Sequence, residues 1–334
     1  MTMNEKEFPL TYYRLRFDLR AETPIRLGGM RAGSYLRGAL VEVMRRATCP
    51  YSVFSGKPSF LPEPNHSKNC PVCWLVSANE NPGTERRGYV LTPPISTPLI
   101  IQPGEPISFH LTLLGNAQRY LPYFVLAVPE AGKIGVGEGR GRFSLTTIFA
   151  EYPKKPDWCV LQEGENILRP PLTPVTHADL QTNADLLSSA WGKGLVTLWI
   201  DFLTPLRLIW NKRLVKSPDF AVLFSRLLER LDELSMQFAR GTQRPIEERN
   251  YLFTLAQKVR LLESNIHWQE ISSGSRRTGK RTWISGIVGS ALYCAPADVW
   301  RALLPWLLWG EVTQVGKDAV KGNGVLRISH HKVL

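Results

Sequence analysis

The chain has 334 residues, and 43% of them are apolar, which is ordinary for a globular protein and sufficient for two cores. The 41 lysines and arginines outnumber the 29 acidic residues, and the net charge of +12 favours nucleic acid or another acidic surface as a partner. The longest apolar stretch beside a predicted helix, residues 303–309, is far too short to cross a bilayer. We therefore exclude a membrane-spanning protein. We expect a cytoplasmic one, because the N-terminal residues also lack the apolar core of a signal peptide.

The first half of the chain alternates between strand and helix patterns. Apolar and charged residues alternate over residues 12–19, which predicts a half-buried strand. Residues 34–46 carry apolar side chains at helical spacing, whereas residues 49–94 are irregular and rich in proline, asparagine and glycine. We further predict a strand over 107–114, a short helix over 120–128, and a strand over 143–148 that follows a glycine-rich loop.

The second half repeats this order after a proline-rich segment. We predict a strand over residues 195–208, a long helix over 218–240, a strand over 283–293, a helix over 296–310 and a last strand over 325–329. This is the order of a ferredoxin-like unit. The sequence thus predicts an α+β fold with two tandem ferredoxin-like (RRM-like) domains. The expected boundaries are 8–150 for the first domain with an irregular insert at 49–94, 151–194 for a linker, and 195–334 for the second domain.

A glycine-rich loop lies late in each half, at residues 132–143 and 316–324, and each runs into a short strand. Glycine lets the backbone adopt positive φ and approach a ligand closely. Amides beside cations suit a phosphate backbone. Neither loop matches a mononucleotide motif, since Gly316-Lys317 is followed by Asp318 rather than serine or threonine. Tight turns at sheet edges are the alternative, but two matched loops in a basic chain favour RNA or DNA.

The candidate nucleic-acid-binding residues are the glycines and cations of these loops and one further basic cluster. That cluster, at residues 276–281, is the densest in the chain. It is either a solvated loop or a mobile loop that grips the nucleic-acid backbone, and both interpretations stay open. The complete set is Lys133, Gly135, Gly137, Gly139, Arg140, Arg142, Arg276, Arg277, Lys280, Arg281, Gly316, Lys317, Lys321, Gly322 and Gly324.

The insert contains a group of potential metal ligands. Cys70 and Cys73 have the spacing of a metal knuckle, and Cys49 and His66 precede them. Together they would supply a closed tetrahedral Cys₃His zinc site with a structural role. Reduced thiols without a metal are the alternative, because one CxxC without a second is an incomplete signal. The odd number of cysteines, five, argues against a disulfide framework.

Four stretches of the chain, in the same order, resemble the CRISPR-associated endoribonucleases that process precursor guide RNA, part of the repeat-associated (RAMP) superfamily. Each stretch is short and apolar, and it is their common order across nearly the whole chain that is specific. The stretches are residues 33–40; 113–115 with 121–124 and 134–143; 204–208 with 218–220 and 227–231; and 303–311 with 315–317 and 322–324.

The resemblance implies RNA binding in the cleft between two RRM-like domains and cleavage without a metal. In that reaction a ribose 2′-OH attacks the adjacent phosphate, which leaves a 2′,3′-cyclic phosphate and a 5′-OH. The chemistry needs a base for the 2′-OH, an acid for the leaving oxygen and a cation for the phosphorane. The implied partners are the CRISPR repeat or guide RNA and other subunits of an effector complex, and no cofactor is implied for catalysis.

The chain departs from the family at the residues that would carry the reaction. Many relatives have a histidine before the Val-Gly-Lys of the last loop, where this chain has Gln314. A histidine common near the first helix is also missing, and the region offers Arg31, Tyr35 and Arg37 instead. His110 alternates away from its apolar neighbours, so it faces the other side of the sheet, either towards RNA or simply towards solvent. The candidate catalytic residues are therefore Arg31, Tyr35, Arg37 and His110.

Two interpretations within the family stay open. The chain is either a ribonuclease that processes precursor guide RNA at a repeat hairpin, or a noncatalytic RNA-binding subunit of a CRISPR effector complex. The missing histidines favour the second interpretation, and the closeness to the processing branch favours the first. A zinc-containing nucleic-acid-binding protein unrelated to CRISPR is the alternative outside the family.

Overall fold

The computed structural model describes residues 8–49, 66, 69–77, 86–95, 100–165, 167–274 and 281–330. The Arg276, Arg277 and Lys280 side chains expected to bind nucleic acid lie outside these residues. None of the described helices is long and apolar enough to cross a membrane. The elements of the first unit are β1 (Tyr12–Ala21), α1 (Ala32–Thr48), α2 (Pro71–Ser77), β2 (Tyr89–Thr92), β3 (Pro106–Leu114), α3 (Leu121–Ile134), β4 (Phe143–Glu151) and β5 (Trp158–Gln162).

The first unit is an antiparallel sheet with strand order β2-β3-β1-β4-β5 and two long helices on one face. The alternation of apolar and charged side chains along β1 determines which face of the sheet the helices cover. Leu15, Phe17 and Leu19 of β1 are buried in one core with residues of α1 and α3, whereas Arg14 and Arg16 point to the other face. Without β5, this order is that of a ferredoxin-like unit.

The second unit repeats the topology with strand order β11-β6-β10-β9. Its long helix begins where the Asp219 carboxylate accepts a hydrogen bond from the Val222 amide, an N-cap that satisfies one unpaired helical donor. The two ferredoxin-like units predicted from the sequence are therefore confirmed. The elements are β6 (Leu195–Leu206), β7 (Leu208–Trp210), β8 (Arg213–Val215), α5 (Phe220–Phe238), α6 (Ile246–Gln257), β9 (Arg260–Gly274), β10 (Arg281–Pro296), α7 (Ala297–Thr313) and β11 (Leu326–His330).

Several segments that lacked a clear pattern in the sequence have regular structure. The segment 151–194, expected as a linker, contributes β5 to the first sheet and also contains α4 (His177–Ser188). Helix α4 begins with a reciprocal capping box between Thr176 and Asp179, a local signal that the sequence interpretation did not use. The insert likewise contains α2 and β2.

The two units pack directly on one another. Leu10, Tyr12 and Val90 of the first unit belong to the same apolar cluster as α5 and α7 of the second. Trp74 of α2 packs against Phe238, so the insert also contacts the second unit. This arrangement brings the second glycine-rich loop against the first unit.

Candidate functional site

The first glycine-rich loop is a tight turn closed by the isolated bridge between Val136 and Gly141. Gly137 has φ +72°, and a Cβ there would lie 2.1 Å from the carbonyl oxygen of Arg26. The loop therefore lies directly on the segment that precedes α1, and this contact requires glycine. Gly139, with φ +83°, has open space around it and forms the exposed tip.

Three side chains, from the first glycine-rich loop, the segment before α1 and α1 itself, meet at the start of α1. The hydroxyl of Tyr35 donates a hydrogen bond to Oε1 of Glu138 at 3.1 Å. Arg31, in the short 3-10 helix before α1, donates from Nη1 to the same oxygen at 3.4 Å. The Glu138 side chain is 58% exposed and that of Arg31 38% exposed, so a ligand in solution can reach both. A carboxylate, a phenol and a guanidinium thus form one accessible cluster.

Arg37 lies half-buried one turn further along α1. Its Nε is buried and has no hydrogen-bond partner within the described part of the chain. The structure therefore brings together Arg31 and Tyr35 and places Arg37 on the same helix, without a direct contact to the other two.

The second glycine-rich loop packs against the same end of α1. A Cβ on Gly33 would lie 2.0 Å from the carbonyl oxygen of Lys321, and a Cβ on Gly322 would lie 2.5 Å from Cδ of Pro93. Gln314, at the C-terminal end of α7, is fully buried, and its Nε2 donates to the Leu91 carbonyl at 2.9 Å. This loop is therefore a junction between the two units.

The cations of the two loops differ in how they are held. Lys133 pairs with Glu130, and Lys321 pairs with Asp318 at 3.0 Å. Arg140, Arg142 and Lys317 are exposed, and Arg140 adopts a positive φ of 52° directly after the tip glycine. Of the predicted basic cluster at 276–281, the structure describes Arg281, the first residue of β10.

His110 lies apart from the α1 cluster, on the opposite face of the first sheet. Its Nε2 is 3.2 Å from Oε1 of Glu151, which also pairs with Arg14 at 3.1 Å. Burial alone would raise the pKa of Glu151, but the hydrogen bond and charge of His110, together with Arg14, lower it to about 2. These residues line one side of a cavity of about 630 Å³ between the units. Arg327 of the second unit also lines this cavity.

The four predicted metal ligands converge in space. The ligand atoms of Cys49, His66, Cys70 and Cys73 all lie within 4.8 Å of one another, and the three cysteines are buried. Cys49 follows the last turn of α1, and Cys70 and Cys73 flank the start of α2. Burial, together with the neighbouring thiols, raises the pKa of the Cys73 thiol. Bonds of about 2.3 Å around a tetrahedral zinc separate sulfurs by about 3.8 Å, so the donor set fits this metal.

The fold and these sites define a tandem ferredoxin-like protein whose accessible polar cluster lies at the first helix. A family model described as CRISPR-associated endoribonuclease Cas6 matches residues 200–326, and the N-terminal domain model AF_1859_N matches residues 9–173. The resemblance stated from the sequence is thereby confirmed for the second half of the chain, which matches the Cas6 endoribonuclease model.

Solved structures share the fold at low sequence identity. A Cas6 product complex covers 96% of this chain and 99% of its own at 15% identity, with a TM-score of 0.56. Cas6 from Thermus thermophilus gives 96% and 99% coverage at 14% identity and a TM-score of 0.55. A partial Cas6-RT-Cas1–Cas2 complex gives a TM-score of 0.62 at 12% identity, covering 97% of this chain and 47% of its own. No curated protein sequence matches.

Sequence reasoning missed Glu138, although this acidic residue lies between two glycines in a basic loop. The sequence alone assigns Glu138 only to the loop, because spacing along the chain does not reveal its contact with Tyr35, 103 residues away. The Glu151 and Arg14 partners of His110 were missed for the same reason. These residues become neighbours only when β3 and β4 pair with β1.

Proposed function

We propose that the chain cleaves precursor guide RNA at a CRISPR repeat, with the active site at the start of α1. The observation that carries this proposal is the accessible cluster of Arg31, Tyr35 and Glu138, next to which both glycine-rich loops pack. The match of the second half to the Cas6 endoribonuclease model supports the substrate, and the cluster supplies groups that can stabilise charge and move protons.

The proposed reaction is attack of the ribose 2′-OH on the adjacent phosphate, without a metal ion. The guanidinium of Arg31 stabilises the charge of the phosphorane, and the hydroxyl of Tyr35 donates a proton to the leaving 5′-oxygen. Arg37, whose buried Nε lacks a partner among the described residues, is proposed to bind a neighbouring phosphate. The products are a 2′,3′-cyclic phosphate and a 5′-OH.

The repeat hairpin is proposed to bind along the basic surface at the two loops and in the cleft between the units. Arg140, Arg142 and Lys317 supply exposed charge there, and Lys133 and Lys321 can exchange their carboxylate partners for phosphates. His110, together with Arg14 and Arg327, lines the cleft and is proposed to contact RNA rather than to catalyse. The basic cluster at residues 276–281 is proposed to bind phosphates of the RNA backbone.

A noncatalytic guide-RNA-binding subunit is the second candidate function. Gln314, at the position where many relatives carry a histidine, is fully buried and bound to the Leu91 carbonyl. In this chain the position holds the two units together and is not available to a substrate. If the remaining groups at α1 do not cleave, the protein would bind repeat RNA and leave it intact.

We also propose that Cys49, His66, Cys70 and Cys73 hold one structural zinc ion. Three buried thiols and a half-buried imidazole would fill all four positions around the ion, which leaves no position for a substrate and would order the insert. Purified protein should contain one equivalent of zinc, and Cys73→Ser should lose it and melt at lower temperature. Cys159→Ser, in β5 outside the cluster, should keep both. Wild-type protein that contains no bound metal and melts normally would contradict the zinc site.

A cleavage assay with end-labelled repeat RNA from the same genome, with no added divalent metal, tests the main proposal. We expect a single cut that leaves a cyclic phosphate and that a 2′-deoxy substitution at the cut site abolishes. Tight binding with intact RNA would overturn the nuclease and support the noncatalytic subunit. Absence of binding would overturn both candidate functions.

A further inference from the structure

We infer that Glu138 is the general base that removes the proton from the 2′-OH. This inference rests on the proposed ribonuclease function and names the base that the reaction needs. Of the three side chains that meet at the start of α1, Glu138 alone is a proton acceptor, since guanidinium groups do not release their protons in proteins and a phenol does so poorly at neutral pH.

The backbone of the loop fixes the position of this carboxylate. The Glu138 amide donates to the Arg26 carbonyl at 3.0 Å, and Gly137 on one side has no space for a Cβ. The hydrogen bonds from Tyr35 and Arg31 both end on Oε1, so among the described residues Oε2 stays available to accept a hydrogen bond from a ribose hydroxyl. The base is therefore preorganised beside the proposed acid and the proposed cation.

A role limited to stability explains this arrangement poorly. Exposed ion pairs contribute little to stability, and the Glu138–Arg31 pair is long and exposed. The turn itself is held by backbone contacts and glycines, which do not involve the carboxylate. A carboxylate would also repel an RNA phosphate, but Arg31 at 3.4 Å and Arg140 two residues further along the loop offset its charge.

The proposed step balances in protons and bonds. Glu138 accepts the proton of the 2′-OH as the 2′-oxygen forms its bond to phosphorus. The bond from phosphorus to the 5′-oxygen breaks, and Tyr35 gives its hydroxyl proton to that oxygen. The protonated Glu138 then returns a proton to the Tyr35 oxygen along the hydrogen bond that joins them, which restores the starting state. No oxidant, reductant or metal takes part.

The substitution Glu138→Gln keeps the size of the side chain and removes the base. We expect kcat to fall by a factor of about 10² to 10³, while the Kd for repeat RNA stays within a few fold. Glu42→Gln is the matched control, because Glu42 lies on the same helix as Tyr35 and pairs with Arg46 at the surface.

A substrate with sulfur in place of the 5′-bridging oxygen distinguishes a base from a positioning residue. The thiolate leaves without an acid, so this substrate should restore most of the rate lost in Tyr35→Phe but not the rate lost in Glu138→Gln. If the thio substrate rescues both variants, Glu138 only positions Tyr35 and the inference is wrong. An active Glu138→Gln enzyme would also overturn it while leaving the nuclease intact. A wild-type protein without cleavage would instead remove the proposed function itself.

Discussion

The two glycine-rich loops occupy equivalent places in two units of the same topology, yet the structure uses them differently. The first loop, residues 132–143, ends in an exposed tip at Gly139 that presents Glu138 to solvent and to Tyr35. The second loop, residues 316–324, is packed between the units, where Gly322 and Gly324 have no space for a side chain. Glycines allow close packing in both loops, and the first loop also has an open tip at Gly139.

This difference shows that glycine-rich segments in repeated units need not share a role. In the second loop, Gly322 lets the backbone approach Pro93 of the first unit, and Gly324 lets it approach the Val315 carbonyl within the second unit. In the first loop, the same property lets a turn lie flat on the segment before α1 and project one carboxylate. Both loops meet at the same helix end, so the second loop supports the site that the first loop completes.

The largest expected effect separates a packed glycine of the second loop from the open tip of the first loop by stability. Gly324 has φ +74°, and a Cβ there would lie 1.8 Å from the Val315 carbonyl oxygen, so Gly324→Ala should lower the free energy of unfolding by roughly 4 kcal/mol. Gly139→Ala is the matched control, because Gly139 has a similar φ but open space, and it should cost about 1 kcal/mol. Denaturant unfolding measures both. Equal losses in the two variants would contradict the proposed difference.

A smaller loss of stability should follow from removal of the buried amide that joins the units. Gln314→Ala deletes the hydrogen bonds from Nε2 to the Leu91 carbonyl and to Oγ1 of Thr92, and it leaves both acceptors buried. We expect a loss of about 2 kcal/mol by denaturant unfolding. Gln181→Ala, on the exposed face of α4, is the control and should change stability by less than about 0.5 kcal/mol. Unchanged stability of Gln314→Ala would exclude the amide as a junction.

Local patterns were sufficient to predict the elements that bury one face. The alternation in β1 and the apolar face of α5 follow from the sequence, because both elements bury one side against a core. Strand β2 was missed because it is buried on both faces and lacks alternation. Strand β9 was missed because it is an edge strand whose Leu261 and Leu262 are both largely exposed.

The sites were predictable only where the ligands are close in sequence or follow a known spacing. The Cys70–Cys73 spacing indicated the Cys/His cluster, and only Cys49 and His66 had to be brought in by folding. The contacts of Glu138 with Arg31 and Tyr35 depend on how a turn near residue 138 packs on a helix about 100 residues earlier. No local pattern contains that information.

The smallest expected effect concerns RNA affinity and tests whether the second loop has a role beyond packing. Arg140 and Lys317 are exposed cations of the first and second loops, so Arg140→Ala and Lys317→Ala should each weaken repeat-RNA binding several fold at moderate salt. Each should also reduce the slope of log K against log salt by about 1, the signature of one lost phosphate contact. Both are measured by filter binding at several salt concentrations.

Lys193→Ala is the matched control for this measurement. Lys193 is exposed at the start of β6, and the second loop contacts the far end of this 12-residue strand, roughly 40 Å away at the usual rise per residue. Its replacement removes the same charge and should leave the salt slope unchanged. If Arg140→Ala alone alters the slope, the second loop acts only as a junction and the two loops differ more than we propose. If neither variant alters it, the hairpin binds elsewhere, and the cleft lined by Arg14, His110 and Arg327 becomes the main RNA-binding surface.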